Sequence, residues 1–147
     1  MPGPRTASRE RPAGVDEARL KQMIARAKEA SVKAYCPYSN FRVGAAVLTT
    51  SGEIYTGCNV ENASSGLTIC AERNAIFHAR CEGMQGLAAV VVYTQTDKPT
   101  APCGACRQVI NEFGPEAGIT CVCDGATTIA ARLADLLPQA FGPDNLR

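Results

Sequence analysis

A chain of 147 residues is long enough for one domain and too short for two independent cores. Its 46% hydrophobic and 20% charged residues supply a core, which excludes a collagen, a mucin-like stalk or a wholly disordered chain. Fifteen Lys and Arg against 14 Asp and Glu leave a formal charge of +1, too weak a field to hold a long phosphate backbone, so a nucleic-acid polymer is not an expected partner.

Residues 1–14 hold three prolines, two glycines and three arginines and almost nothing to bury, so they read as a disordered tail in front of a single domain over 15–147. This start lacks the apolar stretch of a secretory signal, and no apolar run approaches the 18 residues of a membrane span. The expectation is a soluble, cytoplasmic protein. Over 16–34, Leu20, Ile24, Ala27 and Ser31 recur at helical spacing with Lys and Arg between them, which predicts an amphipathic helix ended by Pro37. Two β-rich runs, 41–48 and 53–60, flank the tight-turn pair Ser51-Gly52 and predict a hairpin. A polar loop over 61–68 leads to a helix over 70–79, with Ala75, Ile76 and Ala79 inward and Gly83 past its end.

The run 87–93 is apolar and β-branched almost without a break, as in a strand covered on both faces. After Pro99 and Pro102 comes a helix over 103–113, then a strand over 119–123, a turn at Asp124-Gly125 and a last strand over 127–130. Helix, hairpin and then alternating helices and strands describe a three-layer α/β domain whose later strands run parallel through helical crossovers.

Eight cysteines in a chain without an export signal favour free thiols, metal ligands or redox pairs over a disulfide framework. The single histidine, His78, rules out a His-rich metal site, so any bound metal would be held by thiolates. Cys70-Ala71-Glu72 and Pro102-Cys103-Gly104-Ala105-Cys106 each open a predicted helix. At a helix N-terminus the free N–H groups and the macrodipole favour the thiolate that a metal requires. If the two helices start side by side, Cys70, Cys103 and Cys106 make three ligands and leave the open position of a catalytic zinc. Arg73 is placed to hydrogen-bond the ligand sulfurs and draw charge from them. Glu72, two residues past a ligand, is placed for proton transfer rather than for zinc binding. C-x-E followed by P-C-x-x-C is the three-cysteine form of the pattern of the zinc deaminases.

With these motifs the chain resembles the small, homotetrameric cytidine deaminases from about Tyr35 to Leu146. The matching segments are Pro37-Tyr38-Ser39-Asn40-Phe41-Arg42-Val43-Gly44-Ala45-Ala46, Gly57-Cys58-Asn59-Val60-Glu61-Asn62-Ala63-Ser64, Cys70-Ala71-Glu72-Arg73, Pro102-Cys103-Gly104-Ala105-Cys106-Arg107-Gln108 and Leu136-Leu137-Pro138-Gln139-Ala140-Phe141-Gly142-Pro143. The resemblance implies a three-layer α/β/α cytidine-deaminase-like sandwich with a mixed five-stranded sheet and one Zn²⁺ per subunit on Cys70, Cys103 and Cys106. The implied reaction is hydrolytic deamination of cytidine and deoxycytidine in pyrimidine salvage, with Glu72 shuttling protons. It further implies that Phe41 packs on the pyrimidine, that the Ala71 N–H meets the ring oxygen, and that Asn59 and Glu61 bond the ribose hydroxyls. Phe141 would reach a neighbouring subunit's pocket in a homotetramer. A carboxylate at Glu61 facing the 3′-hydroxyl would repel a phosphodiester, which favours a free nucleoside.

One departure stands out: Ser64-Ser65-Gly66 replaces the family's usual Ser-Tyr-Gly, which opens an alternative substrate such as isocytosine, an N4- or C5-substituted cytidine or a blasticidin-type antibiotic. Competing readings of the thiols are a non-catalytic zinc knuckle completed by Cys36, Cys58 or Cys81, and a thioredoxin-like redox pair that would leave Cys70 and Glu72 without a role. Without the resemblance, Phe41 and Phe141 read as core or interface residues and Asn59 and Glu61 as turn formers. Cys36, Cys58, Cys81, Cys121 and Cys123 read as structural thiols, and His78 as a helix-surface residue.

Overall fold

The computed structural model describes residues 15–147; the tail expected over 1–14 lies outside the described residues. In chain order the elements are α1 (Glu17–Val32), β1 (Val43–Thr49), β2 (Ile54–Cys58), a 3₁₀ turn (Ser65–Leu67), α2 (Ala71–Cys81), β3 (Leu87–Thr94), α3 (Gly104–Phe113), β4 (Gly118–Val122), β5 (Ile129–Arg132), α4 (Leu133–Leu136) and a 3₁₀ turn (Pro143–Leu146). The five strands form one sheet in the order β2-β1-β3-β4-β5. β1 is antiparallel to both β2 and β3, β3 and β4 are parallel, and β5 is antiparallel to β4. This is the expected three-layer α/β arrangement with a mixed five-stranded sheet.

Period-2 alternation along the strands divides the apolar residues between two cores. Ala46, Leu48, Ala89, Val91, Tyr93 and Val122 face α1, where Met23 and Ala27 meet them. Ala45, Val47, Val90, Val92, Ile119 and Cys121 face the other way, toward Ala75, Ile76 and Ala79 of α2 and Ile110 of α3. Full burial of a side chain such as Ile76, Ile110 or Ile119 contributes about 1.5–3 kcal/mol.

Two glycines set how closely the helices approach the sheet. A Cβ at Gly44 would stand 1.9 Å from the Ala27 carbonyl oxygen, so α1 lies with its backbone against β1. A Cβ at Gly57 would stand 2.3 Å from the Ala75 nitrogen, which seats the first two turns of α2 on β2. The second contact fixes where Cys70, at the front of α2, can point.

Three expectations shift. The first helix stops at Val32 rather than near Ala34, because the Tyr35 N–H bonds the Asn59 carbonyl and Tyr35 forms a parallel bridge with Val60. The first strand begins at Val43 rather than Phe41, because the Phe41 N–H and carbonyl are both taken by side chains. The third concerns the later strands, which do not all run parallel: only residues 123–128 join β4 to β5, too short a link for a crossover, so β5 returns antiparallel over 129–132.

Candidate functional site

Cys70 is the N-cap residue of α2 and Cys103 that of α3, and neither thiol caps its own helix. Cys106 stands three residues on, in the first turn of α3, so its sulfur lies on the same side as that of Cys103. Packing α2 and α3 on one face of the sheet therefore brings three thiols together, all within 4.8 Å of one another. The Cys70 and Cys103 sulfurs are 3.9 Å apart, close to the ~3.8 Å of two thiolates at ~2.3 Å from a tetrahedral ion. The donor set fits a thiolate-bound zinc with one position left to solvent or ligand.

Electrostatics supports that fit. Hydrogen bonding from Cys106, with help from Arg73 and Cys103, overcomes desolvation and holds the Cys70 thiol down at about 5. The same contact with Cys70, with burial and the nearby Glu72, pushes Cys106 strongly up. Such a cluster releases its first proton easily and resists releasing more until a cation arrives. Arg73 Nη2 donates to Cys70 Sγ at 3.5 Å, while Arg73 Nε is buried without a partner. Arg107 steadies the approach to Cys103: its Nε donates to the Pro102 carbonyl at 2.7 Å and its Nη1 to the Leu136 carbonyl at 2.9 Å.

Glu72 is only 5% exposed, and burial, with the charge of Cys70 adding to it, pushes its carboxyl above the usual carboxylate range. With Cys70, Ala71 and Cys103 it lines a cavity of about 350 Å³, which lies within the range of small-molecule sites. Ser39, Phe41, Asn59 and Glu61, from the loops before β1 and after β2, line it as well.

This loop part of the wall is tied together by side chains. Buried Asn59 donates from Nδ2 to the Phe41 carbonyl at 2.7 Å and accepts the Val43 N–H on Oδ1 at 2.9 Å. Glu61 Oε1 accepts the Tyr38 and Ser39 N–H groups at 2.9 and 3.2 Å, and its Oε2 accepts the Ser39 hydroxyl at 2.5 Å. The Ser39 hydroxyl, followed by the two N–H groups, holds the Glu61 carboxyl below the usual range.

The cavity thus gathers Phe41, Asn59, Glu61, Cys70, Ala71, Glu72 and Cys103, while Cys106, the third thiol of the cluster, is fully buried. Phe141 is not among the lining residues. It is 58% exposed, and its carbonyl accepts Gln108 Nε2 at 2.8 Å on the outer side of α3. Ser65 also lies off the cavity, on the exposed 3₁₀ turn. Among the described residues the cluster of possible metal ligands contains neither Cys36 nor Cys58 nor Cys81, so no fourth thiol completes a knuckle. His78 sits on the α2 surface, with Nδ1 3.1 Å from the Thr56 carbonyl and its ring edge-on to Tyr55.

Spacing alone did not mark Ser39, Thr94 or Thr100 as cavity residues. For Thr94 the strand alternation that buries Val90 and Val92 on this face carried the signal. Ser39 carries no such signal along the chain.

A family model described as the cytidine and deoxycytidylate deaminase zinc-binding region matches residues 17–122. The chain is 41% identical over 137 residues to the cytidine deaminase of Sporosarcina psychrophila, covering 86% of this chain and 94% of that one. It is 44% identical over 120 residues to that of Mycobacterium tuberculosis H37Rv, covering 82% and 87%. Among solved structures, the cytidine deaminase of Burkholderia pseudomallei superposes with a TM-score of 0.79 at 48% identity, covering 82% of this chain and 98% of that one.

Proposed function

The chain belongs to the cytidine and deoxycytidylate deaminase family, and from that premise we propose that it hydrolyses cytidine and deoxycytidine to uridine and deoxyuridine with release of ammonia. The observation that carries the reading is the convergence of three thiols, two of which line a cavity of nucleoside size together with a buried carboxyl. Cys70, Cys103 and Cys106 would hold the zinc, and a zinc ion there supplies the Lewis acidity that makes water a nucleophile at neutral pH.

The chain's own residues do the rest. Water adds to C4 of the pyrimidine as a C–O bond forms, and Glu72 takes the proton that the water gives up. Glu72 then delivers a proton to N3 of the ring. In the second half the C4–N4 bond breaks, and Glu72 carries the remaining proton of the added water to the departing nitrogen, which leaves as ammonia. Burial serves this shuttle because it raises the carboxyl above the usual carboxylate range, so Glu72 holds a proton more readily than an exposed glutamate.

Phe41 packs against the ring and the Ala71 N–H, free at the start of α2, meets the ring oxygen. Asn59 and Glu61 take the ribose hydroxyls with the capacity left after their bonds to the backbone. A second donor remains on the Asn59 amide and free lone pairs on Glu61 Oε2. Residues 15–147 act as one domain. In a homotetramer Phe141, exposed in the single chain, reaches a neighbour's cavity. The reading places the enzyme in pyrimidine salvage in the cytoplasm; among the described residues no helix is long and apolar enough to cross a membrane.

The test is an ultraviolet assay across cytidine, deoxycytidine, cytosine, isocytosine and N4-substituted cytidines. Turnover of the first two with one zinc per chain is expected. Inactivity toward cytidine with turnover of a modified base would overturn the substrate assignment in favour of the reading that Ser65 motivated. Sedimentation showing an active monomer would overturn the tetramer and the role of Phe141.

A further inference from the structure

Neither the helix ends nor the thiol cluster accounts for how the Phe41 ring is held at the cavity wall. Phe41 follows Asn40, whose positive φ of 59° is a left-handed conformation that asparagine adopts more readily than most L residues. Two side chains bracket the Phe41 peptide unit: Asn59 Nδ2 takes the carbonyl at 2.7 Å, and Ser39 Oγ accepts the N–H at 3.0 Å. The Ser39 hydroxyl has one proton, and that proton goes to Glu61 Oε2 at 2.5 Å. The order of the chain is therefore fixed: the Phe41 N–H donates to Ser39, and Ser39 donates to the Glu61 carboxylate.

Among the described residues Ser39 is the one side chain hydrogen-bonded to both Phe41 and Glu61, and its own N–H bonds Glu61 Oε1 at 3.2 Å. Its hydroxyl also occupies one lone pair of Oε2, which limits the directions from which a ligand hydroxyl can approach that oxygen.

We propose that Ser39 is a positioning residue for substrate binding, coupling the Phe41 ring to the Glu61 carboxylate so that both wait in the orientation a nucleoside requires. The inference rests on the nucleoside reading above. Loss of the hydroxyl frees the Phe41 N–H and lets Glu61 turn, while the thiol cluster and Glu72, which share no hydrogen bond with Ser39, stay as they are. Binding weakens and the chemical step does not.

Because Ser39 is exposed, removing its hydroxyl leaves no buried polar group stranded, so Ser39→Ala folds. In that variant the KM for cytidine should rise about tenfold, the factor that one net hydrogen bond is worth, with kcat and zinc content near wild type. Hydrogen–deuterium exchange of the peptide spanning 37–42, measured without substrate, should speed up. Ser39→Thr keeps the hydroxyl and should restore both readouts. A fall in kcat at unchanged KM, wild-type exchange in Ser39→Ala, or failure of threonine to rescue would each overturn the assignment. If the wild-type protein leaves cytidine untouched, the substrate reading falls by itself, and the exchange comparison still decides the role of Ser39.

Discussion

Part of the cavity wall is made of helix ends and part of the loops before β1 and after β2, and the two parts are held by different forces. On the helix side, Cys70 and Cys103 sit where α2 and α3 begin, and each helix is seated on the sheet by fully buried residues such as Ala75, Ile76 and Ile110. Hydrophobic packing does the positioning there, and the thiols and Glu72 inherit its rigidity. On the loop side, Phe41 and Glu61 are largely outside the cores and are placed by hydrogen bonds among Ser39, Asn59, Glu61 and the backbone. The difference teaches where damage goes. Faults in the helix wall strike metal and chemistry, whereas faults in the loop wall strike binding.

The strongest way to break that division is Cys106→Ala. It removes a fully buried ligand, so zinc, activity and much of the thermal stability should go together, because metal binding and folding are coupled. Full zinc content by elemental analysis would refute the ligand role. Next comes Glu72→Gln, which keeps the shape of the helix wall and loses only the proton carrier. Zinc should stay while kcat falls by roughly 10² to 10⁴. Near-normal turnover would remove Glu72 from the mechanism.

A smaller effect is expected of Arg73→Gln, which deletes the donor to Cys70 Sγ. Zinc affinity in a chelator competition should drop by about 10- to 100-fold, the usual loss when a group bonded to a ligand is removed. An unchanged affinity would leave Arg73 as packing alone. The mildest test falls on the loop wall. Asn59→Ala strips a buried amide from two backbone partners, so stability should fall by about 1–3 kcal/mol and KM should rise, with zinc content unaltered. Loss of zinc in this variant would mean that the two walls are not separable.

The helix wall was legible because its signals are local. Cysteine spacing, a carboxylate two residues past a ligand and helix starts after loops are all readable along the chain, and each has a chemical reason. The loop wall was legible only in part. Phe41, Asn59 and Glu61 entered through resemblance, and without it they read as ordinary core and turn residues. Ser39 was missed because its bonds run to Glu61, far along the chain, and to a nearby N–H that a strand would have used in its ladder. The start of β1 and the end of α1 shifted for the same reason, since Asn59 claims backbone groups of both Tyr35 and Phe41.

From the sequence alone came the three-layer α/β class, the hairpin, the central strand and the chemistry of the three thiols with their carboxyl neighbour. Periodicity and ligand spacing are properties of consecutive residues, so they survive without coordinates. The tertiary structure alone decided that β5 turns back antiparallel, that no other cysteine joins the thiol cluster among the described residues, and that Phe141 lies off its own chain's cavity. Each of these depends on which distant segments pack together, and the free energy of that packing is shared across the whole sheet rather than carried by any one stretch of chain.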